Sequence, residues 1–298
     1  MDNTAYLLEA LSQTSKAVEK KLDLLLELSS AGEHRLVEAM RYSMFAGGKR
    51  LRPFLVICSA DLFGVEKIRS LRAAAAVECI HCYSLIHDDL PAMDDDAMRR
   101  GKPTAHIEYD EATAILAGDA LQSLAFEILS SSKTHEDPNV RCQLVTQLAK
   151  ASGMHGMVGG QMMDIEAPEK QASIGEVTHL QHMKTGALIS FAVEAGAILG
   201  KASKHKATLL QAYARDLGLA FQITDDLLDL RGNEQKVGKA LSKDKDKGKA
   251  TFVSLLGEER AQKQAEVLID QAISRLDEFD DSAILLKALA IYVLERDK

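Results

Sequence analysis

Between residues 88 and 96 the sequence "DDLPAMDDD" carries five aspartates in nine positions, and two arginines, Arg99 and Arg100, follow shortly after. Like charges this crowded repel one another, and folding gains nothing from them unless a cation sits between them. A second cluster, "AFQITDDLLDL" at 220–230, sets Asp225, Asp226 and Asp229 into an apolar segment with helical spacing. On a helix Asp225 and Asp229 are one turn apart on the same face, so their carboxylates converge to about 5 to 6 Å. Asp88 and Asp94 cannot do this on one straight helix, because six residues turn through about 600°. Pro91 supplies the remedy: it disfavours helix at Leu90, and the bend it permits lets Asp94 return towards Asp88.

The donor type narrows the cation. An EF-hand starting at Asp88 would need Gly and Glu where the chain has Met93 and Arg99, which excludes that calcium loop. Carboxylates without neighbouring His or Cys suit Mg²⁺, which keeps several waters and completes its shell with substrate phosphates. The chemistry read from these residues is therefore a diphosphate held through Mg²⁺. Such a ligand leaves negative charge to neutralise, and Lys49, Arg50 and Arg52 of "GGKRLRP", then Arg99 and Arg100, then the lysine-rich stretch at 231–252 supply it. That stretch reads as a basic loop, mobile until an anion neutralises it. Other chemistries fail on spacing. "KTG" at 184–186 and "SSSK" at 130–133 lack the S-D-N element of serine acyl transfer, and "GGKR" lacks the first glycine and the final hydroxyl of a phosphate-binding P-loop.

The elements that must position these groups read as helices. Apolar residues recur at three- and four-residue spacing over 5–28, 33–46, 71–90, 110–131, 174–199 and 205–230, alternating strand patterns are absent, and the five prolines fall where helices start, stop or break. "EATAILAGDALQSLAFEIL" and "ISFAVEAGAILG" are apolar on more than one face, which places them in the middle of a bundle or at a subunit contact. A single all-α domain over 1–298 is expected. With 36 Lys+Arg against 44 Asp+Glu the chain has no excess basic field for nucleic acid. No apolar run approaches the ~20 residues of a membrane span, and the acidic, amphipathic start is unlike a signal peptide, so a cytoplasmic protein is expected. Cys79 and Cys82 form a lone C-x-x-C inside an apolar helical segment and read as reduced core thiols.

In order and spacing, "GGKRLRP", "DDLPAMDDDAMRRGKPT", "HMKTGAL", "FQITDDLLDL" and "GKATF" resemble the short-chain trans-isoprenyl diphosphate synthases, and the resemblance runs from about residue 35 to "YVLERDK". It implies a helical bundle around a central cavity, commonly a homodimer, with the two aspartate motifs facing each other across the mouth. It implies Mg²⁺-assisted head-to-tail condensation of dimethylallyl or geranyl diphosphate with isopentenyl diphosphate. Asp88, Asp94 and Asp225 then correspond to metal ligands, with Asp89 and Asp229 in support. Arg99, Lys184, Thr185, Gln222, Lys239 and Lys249 correspond to contacts with the allylic diphosphate; Lys49, Arg52, His81 and Arg100 to the isopentenyl diphosphate site. His81 fits that site because it lies seven residues before Asp88 on the same helical face. The family commonly has Gly where the basic loop has Ser242.

The growing chain should run from the metal site back along the helix that carries Asp88. Tyr83, five residues upstream and about 7.5 Å along the axis, with the small Ser84 beside it, would then set the floor, and the resemblance implies farnesyl diphosphate as main product. Geranyl and geranylgeranyl diphosphate are the alternatives. A terpene cyclase would have no use for the second diphosphate pocket of "GGKRLRP" and Arg100, and non-catalytic partner subunits tend to lose the aspartate motifs that are intact here.

Overall fold

In the computed structural model, which describes residues 3–27, 34–167, 172–235 and 250–296, the chain is a bundle of helices with one small hairpin. In order these are α1 (Asn3–Leu25), α2 (His34–Met44), α3 (Leu51–Asp61) and α4 (Lys67–Asp88), the hairpin β1 (Met98–Arg99) and β2 (Lys102–Pro103), then α5 (Ala105–Glu108) and α6 (Glu111–Ser130). Next come α7 (Pro138–Ser152), α8 (Met157–Glu166), α9 (Ile174–Gln181), a π-helical turn (His182–Gly186) and α10 (Ala187–Leu199). The last are α11 (Lys204–Gln235), α12 (Phe252–Leu256), α13 (Glu258–Ser274), a 3₁₀ turn (Asp277–Ala283) and α14 (Ile284–Glu295). The all-α expectation holds.

Helix starts follow local chemistry. Asp110 accepts from the Thr113 amide, Asp137 caps α7 with Pro138 in its first turn, and Ser173 forms a reciprocal capping box with Glu176. The core is threaded by α4, whose Ala73, Ala74, Ala75 and Ala76 are fully buried. Small side chains on every face let α1, α3, α6 and α10 pack around it. Gly196 of α10 lies so close to α3 that a Cβ would sit 2.2 Å from Ser59 Oγ. Cys58, Cys79 and Cys82 are buried free thiols, the last two as read from the sequence; burial pushes the Cys82 thiol up to about 12.

One expectation needs correction: the stretch 174–199 is interrupted by the π turn. Pro103 stands in β2, immediately before the Thr104 N-cap of α5. Among the described residues α6 is the one helix long and apolar enough to cross a membrane by length and composition; in the bundle it packs against α4, α2, α7 and α5, as a core helix does.

Arg50, counted above among the anion-binding charges, has another job. Its backbone is left-handed (φ 50°) just before α3, and its guanidinium, 1% exposed, donates to Glu78 Oε1 at 2.5 Å and to the Met44 carbonyl at 2.5 Å. The pair ties the "GGKR" loop to α4. Removing one partner of a buried pair strands the other charge, so Glu78→Ala is expected to cost about 3 to 5 kcal/mol. Equilibrium denaturation checks this; an unchanged midpoint would mean Arg50 finds water or another acceptor.

Candidate active site

Helix α4 ends at Asp88, and the chain then turns through Leu90 and Pro91 so that the Asp94 amide donates to the Asp88 carbonyl at 2.8 Å. The bend expected from Pro91 is thus present, and it sets the two carboxylates against each other. Burial, then the charge of Asp94, pushes Asp88 up to about 6, against the opposing pull of Lys184 and Arg99. Asp89 is 3% exposed and accepts from Arg99 through Nε at 2.8 and 2.9 Å and through Nη2 at 2.6 Å. Asp89 therefore holds Arg99 in place and is itself occupied by it.

The hairpin explains how adjacent arginines serve different places. Arg100 (φ 52°) and Gly101 (φ 78°) both adopt positive φ between the paired strands, as a tight two-residue hairpin turn requires. Arg99 faces Asp89, while Arg100 donates to the Gly47 carbonyl. A Cβ on Gly48 would lie 2.7 Å from the Arg100 guanidinium carbon, so the second glycine of "GGKR" makes room for the arginine. His81 is held well below its usual range by burial first and then by the charges of Arg52, Arg100, Arg50 and Arg99, so it is neutral among cations. Arg52 also feels Glu78 and Asp225, and Lys49 Nζ stands 5.6 Å from the Tyr292 ring centroid. Arg52, Arg100, Arg50 and Arg99 thus make a strongly positive corner around His81, and Lys49 acts on Asp225.

Beside it opens a cavity of about 480 Å³ whose walls include Lys184, Thr185, Gln222, Asp225 and Asp229. The π turn carries Lys184 and Thr185; such insertions recur at functional sites because they redirect side chains out of the helical register. Gly160 of α8 permits close contact there, since a Cβ would lie 2.3 Å from the Lys184 amide nitrogen. Lys184 Nζ pairs with Asp164 at 2.8 Å. Burial raises Asp225, countered by Arg296, and Asp229 raises it further, as expected for carboxylates one turn apart. Asp226 turns elsewhere and accepts from the Phe252 amide at 2.8 Å.

Among the described residues no three His, Cys, Asp or Glu side chains converge on one metal position. The carboxylates come instead as two pairs, Asp88 with Asp94 and Asp225 with Asp229, each mutually repelling. All-oxygen donors in twos fit Mg²⁺, which takes one or two carboxylates and fills its shell with water and phosphate oxygens. Lys239, Lys249, Ser242 and most of the expected basic loop lie outside the described residues; residues 231–235 belong to α11. Tyr83 and Ser84 are on α4 but are not among the cavity-wall residues. Tyr83 is buried edge-to-face against His87, 5.7 Å between centroids. Its hydroxyl has no partner in hydrogen-bond geometry, although Gln122 is near enough to oppose the effect of burial on its ionisation. The sequence reading misses the cavity-wall residues Asp164, Glu166, Glu176 and Gln181, and also Arg296, which reaches the site through Asp225. An acid on a helix amid "GGQMMDIE" was a usable signal; nothing marked Arg296.

The profile of the Polyprenyl synthetase family matches residues 33–291. The farnesyl diphosphate synthase of Escherichia coli (strain K12) is 47% identical over 268 residues, 88% of this chain and 90% of that protein. The geranylgeranyl diphosphate synthase of Cyanophora paradoxa is 43% identical over 88% of each. The crystal structure of an FPP/GFPP synthase from Zymomonas mobilis superposes with a TM-score of 0.89 at 48% identity, covering 98% of this chain and 99% of that one. The paired carboxylates, the arginine corner and the π turn thus sit in a chain that belongs to the Polyprenyl synthetase family.

Proposed function

We propose that the protein is a trans-prenyltransferase, a farnesyl diphosphate synthase that joins dimethylallyl or geranyl diphosphate head-to-tail to isopentenyl diphosphate. The observation that carries the reading is the juxtaposition of two repelling carboxylate pairs with Lys184 on the cavity wall and a separate group of cations at the arginine corner. Two anion sites suit a reaction with two diphosphate substrates.

Asp88, Asp94 and Asp225 would hold Mg²⁺, which when bound would stabilise the negative charge that develops on the departing diphosphate. Lys184, Thr185 and Gln222 bind that diphosphate at the cavity, and Arg99, fixed by Asp89, adds charge from the α4 side. Lys239 and Lys249 belong to this reading as further contacts with that diphosphate. Lys49, Arg52 and Arg100 hold the isopentenyl diphosphate, with His81 neutral beside them. The task is electrostatic stabilisation of a leaving anion in a site aligned beforehand, so no nucleophile or acid–base triad is required. A cytoplasmic homodimer is part of this reading; Ile115 and Leu116 of α6, 43% and 57% exposed, offer an apolar face for a second copy.

The test is incubation of the purified chain with dimethylallyl diphosphate and Mg²⁺, with and without isopentenyl diphosphate. Farnesol after dephosphorylation, formed only when isopentenyl diphosphate is present, is expected. A cyclic hydrocarbon formed from the allylic substrate alone would overturn the reading.

A further inference from the structure

We infer that Arg296 is a positioning residue for the metal-binding carboxylate of Asp225, an inference that rests on the reading of Asp225 as a Mg²⁺ ligand. Arg296 follows α14, and its side chain is 5% exposed, whereas that of Asp225 is 45% exposed. The guanidinium carbon lies 3.9 Å from the centroid of the Phe221 ring. Its Nη2 donates to the Phe221 carbonyl at 3.2 Å, to Thr224 Oγ1 at 3.1 Å and to Asp225 Oδ1 at 2.6 Å. Two of those three acceptors and the stacking ring are uncharged parts of α11. The arginine is therefore anchored on the helix irrespective of Asp225, and the more exposed partner, the carboxylate, is the one being oriented.

The geometry divides the carboxylate between two tasks. Oδ1 is engaged by Arg296, which leaves Oδ2 as the oxygen a cation in the adjacent cavity can take. An outer partner of this kind fixes the rotamer of a ligating carboxylate, and its loss typically lowers metal affinity about 10- to 100-fold. The planar guanidinium matters as much as its charge, because it lies flat on the Phe221 ring while Nη2 alone reaches all three acceptors, and a lysine ammonium has no planar face to stack there. The effect opposes simple electrostatics: deleting a cation beside a metal ligand would, through charge alone, tighten metal binding.

The experiment is a calorimetric titration of the full chain with Mn²⁺ in the presence of inorganic pyrophosphate, comparing wild type, Arg296→Ala, Arg296→Lys, Asp225→Asn and the double variant Asp225→Asn with Arg296→Ala. Arg296→Ala is expected to weaken Mn²⁺ binding about 10-fold or more, Arg296→Lys to fail to restore it, and Arg296→Ala to add no further loss in the Asp225→Asn background. Unchanged or tighter Mn²⁺ binding in Arg296→Ala, even with a lowered melting temperature, would overturn the inference, as would full rescue by Arg296→Lys. Wild-type protein that binds no Mn²⁺ with pyrophosphate, or Asp225→Asn that binds like wild type, would instead remove the metal reading beneath it.

Discussion

Asp88→Asn is expected to lower turnover by at least about 10²- to 10³-fold while making the protein more stable at neutral pH, and Asp225→Asn to share the loss of turnover. Both lose a carboxylate that would bind Mg²⁺. The gain in stability follows from the environment of Asp88, which burial and Asp94 push up to about 6, above the ordinary aspartate value of about 3.9. With its pKa raised on folding, Asp88 favours the fold fully only below about pH 4. That contribution is lost as the pH rises through about 6, where the folded chain is forced to hold an ionised, half-buried carboxylate. Asparagine removes this penalty, so at pH 7 the variant should exceed wild type by up to about 3 kcal/mol, with the difference disappearing below about pH 4. Denaturation curves at pH 4 and 7 read this directly, and near-normal turnover in either variant with Mg²⁺ present would remove the metal assignment. Protons and metal also compete for the same oxygen, so Mg²⁺-dependent binding should weaken as the pH falls through about 6.

The second large effect is on product length. Tyr83→Ala is expected to shift the main product from farnesyl to longer chains such as geranylgeranyl diphosphate, whereas Tyr83→Phe should leave it unchanged. Tyr83 is 5% exposed, about one and a half turns before Asp88 on α4, with Gln122 near its hydroxyl. Its ring fills volume beside the helix along which the growing chain should run. Truncating a buried aromatic also costs about 3 to 5 kcal/mol, so turnover should be assayed well below the variant's melting temperature. Mass spectrometry of the dephosphorylated products decides the matter. Unchanged lengths at healthy turnover would place the floor on another wall.

Much of this was legible in the sequence because it rested on local rules. The run of helices followed from apolar spacing, and α6 and α11 begin and end close to where the pattern placed them, although α11 runs on to Gln235. The return of Asp94 to Asp88 followed from Pro91, and the shared face of Asp225 and Asp229 from helical pitch. What stayed hidden depends on tertiary contact. Nothing in "GGKRLRP" separates Arg50, locked on Glu78 inside the bundle, from Arg52 at the positive corner. The π turn at His182–Gly186 has no compositional mark, because one extra residue in a helix is accommodated by packing against Gly160 and α11. Arg296 acquires its partner only when α14 lies along α11, 71 positions away from Asp225 in sequence.

On the proposed function, the two carboxylate pairs take up a diphosphate through a divalent cation. A crystal structure with Mn²⁺ and inorganic pyrophosphate tests it most directly, since anomalous scattering locates Mn²⁺ unambiguously. Manganese is expected against Asp88 with Asp94 and against Asp225, with pyrophosphate bridging them beside Lys184. Pyrophosphate bound to the arginine corner alone, with no manganese at either aspartate pair, would contradict the account.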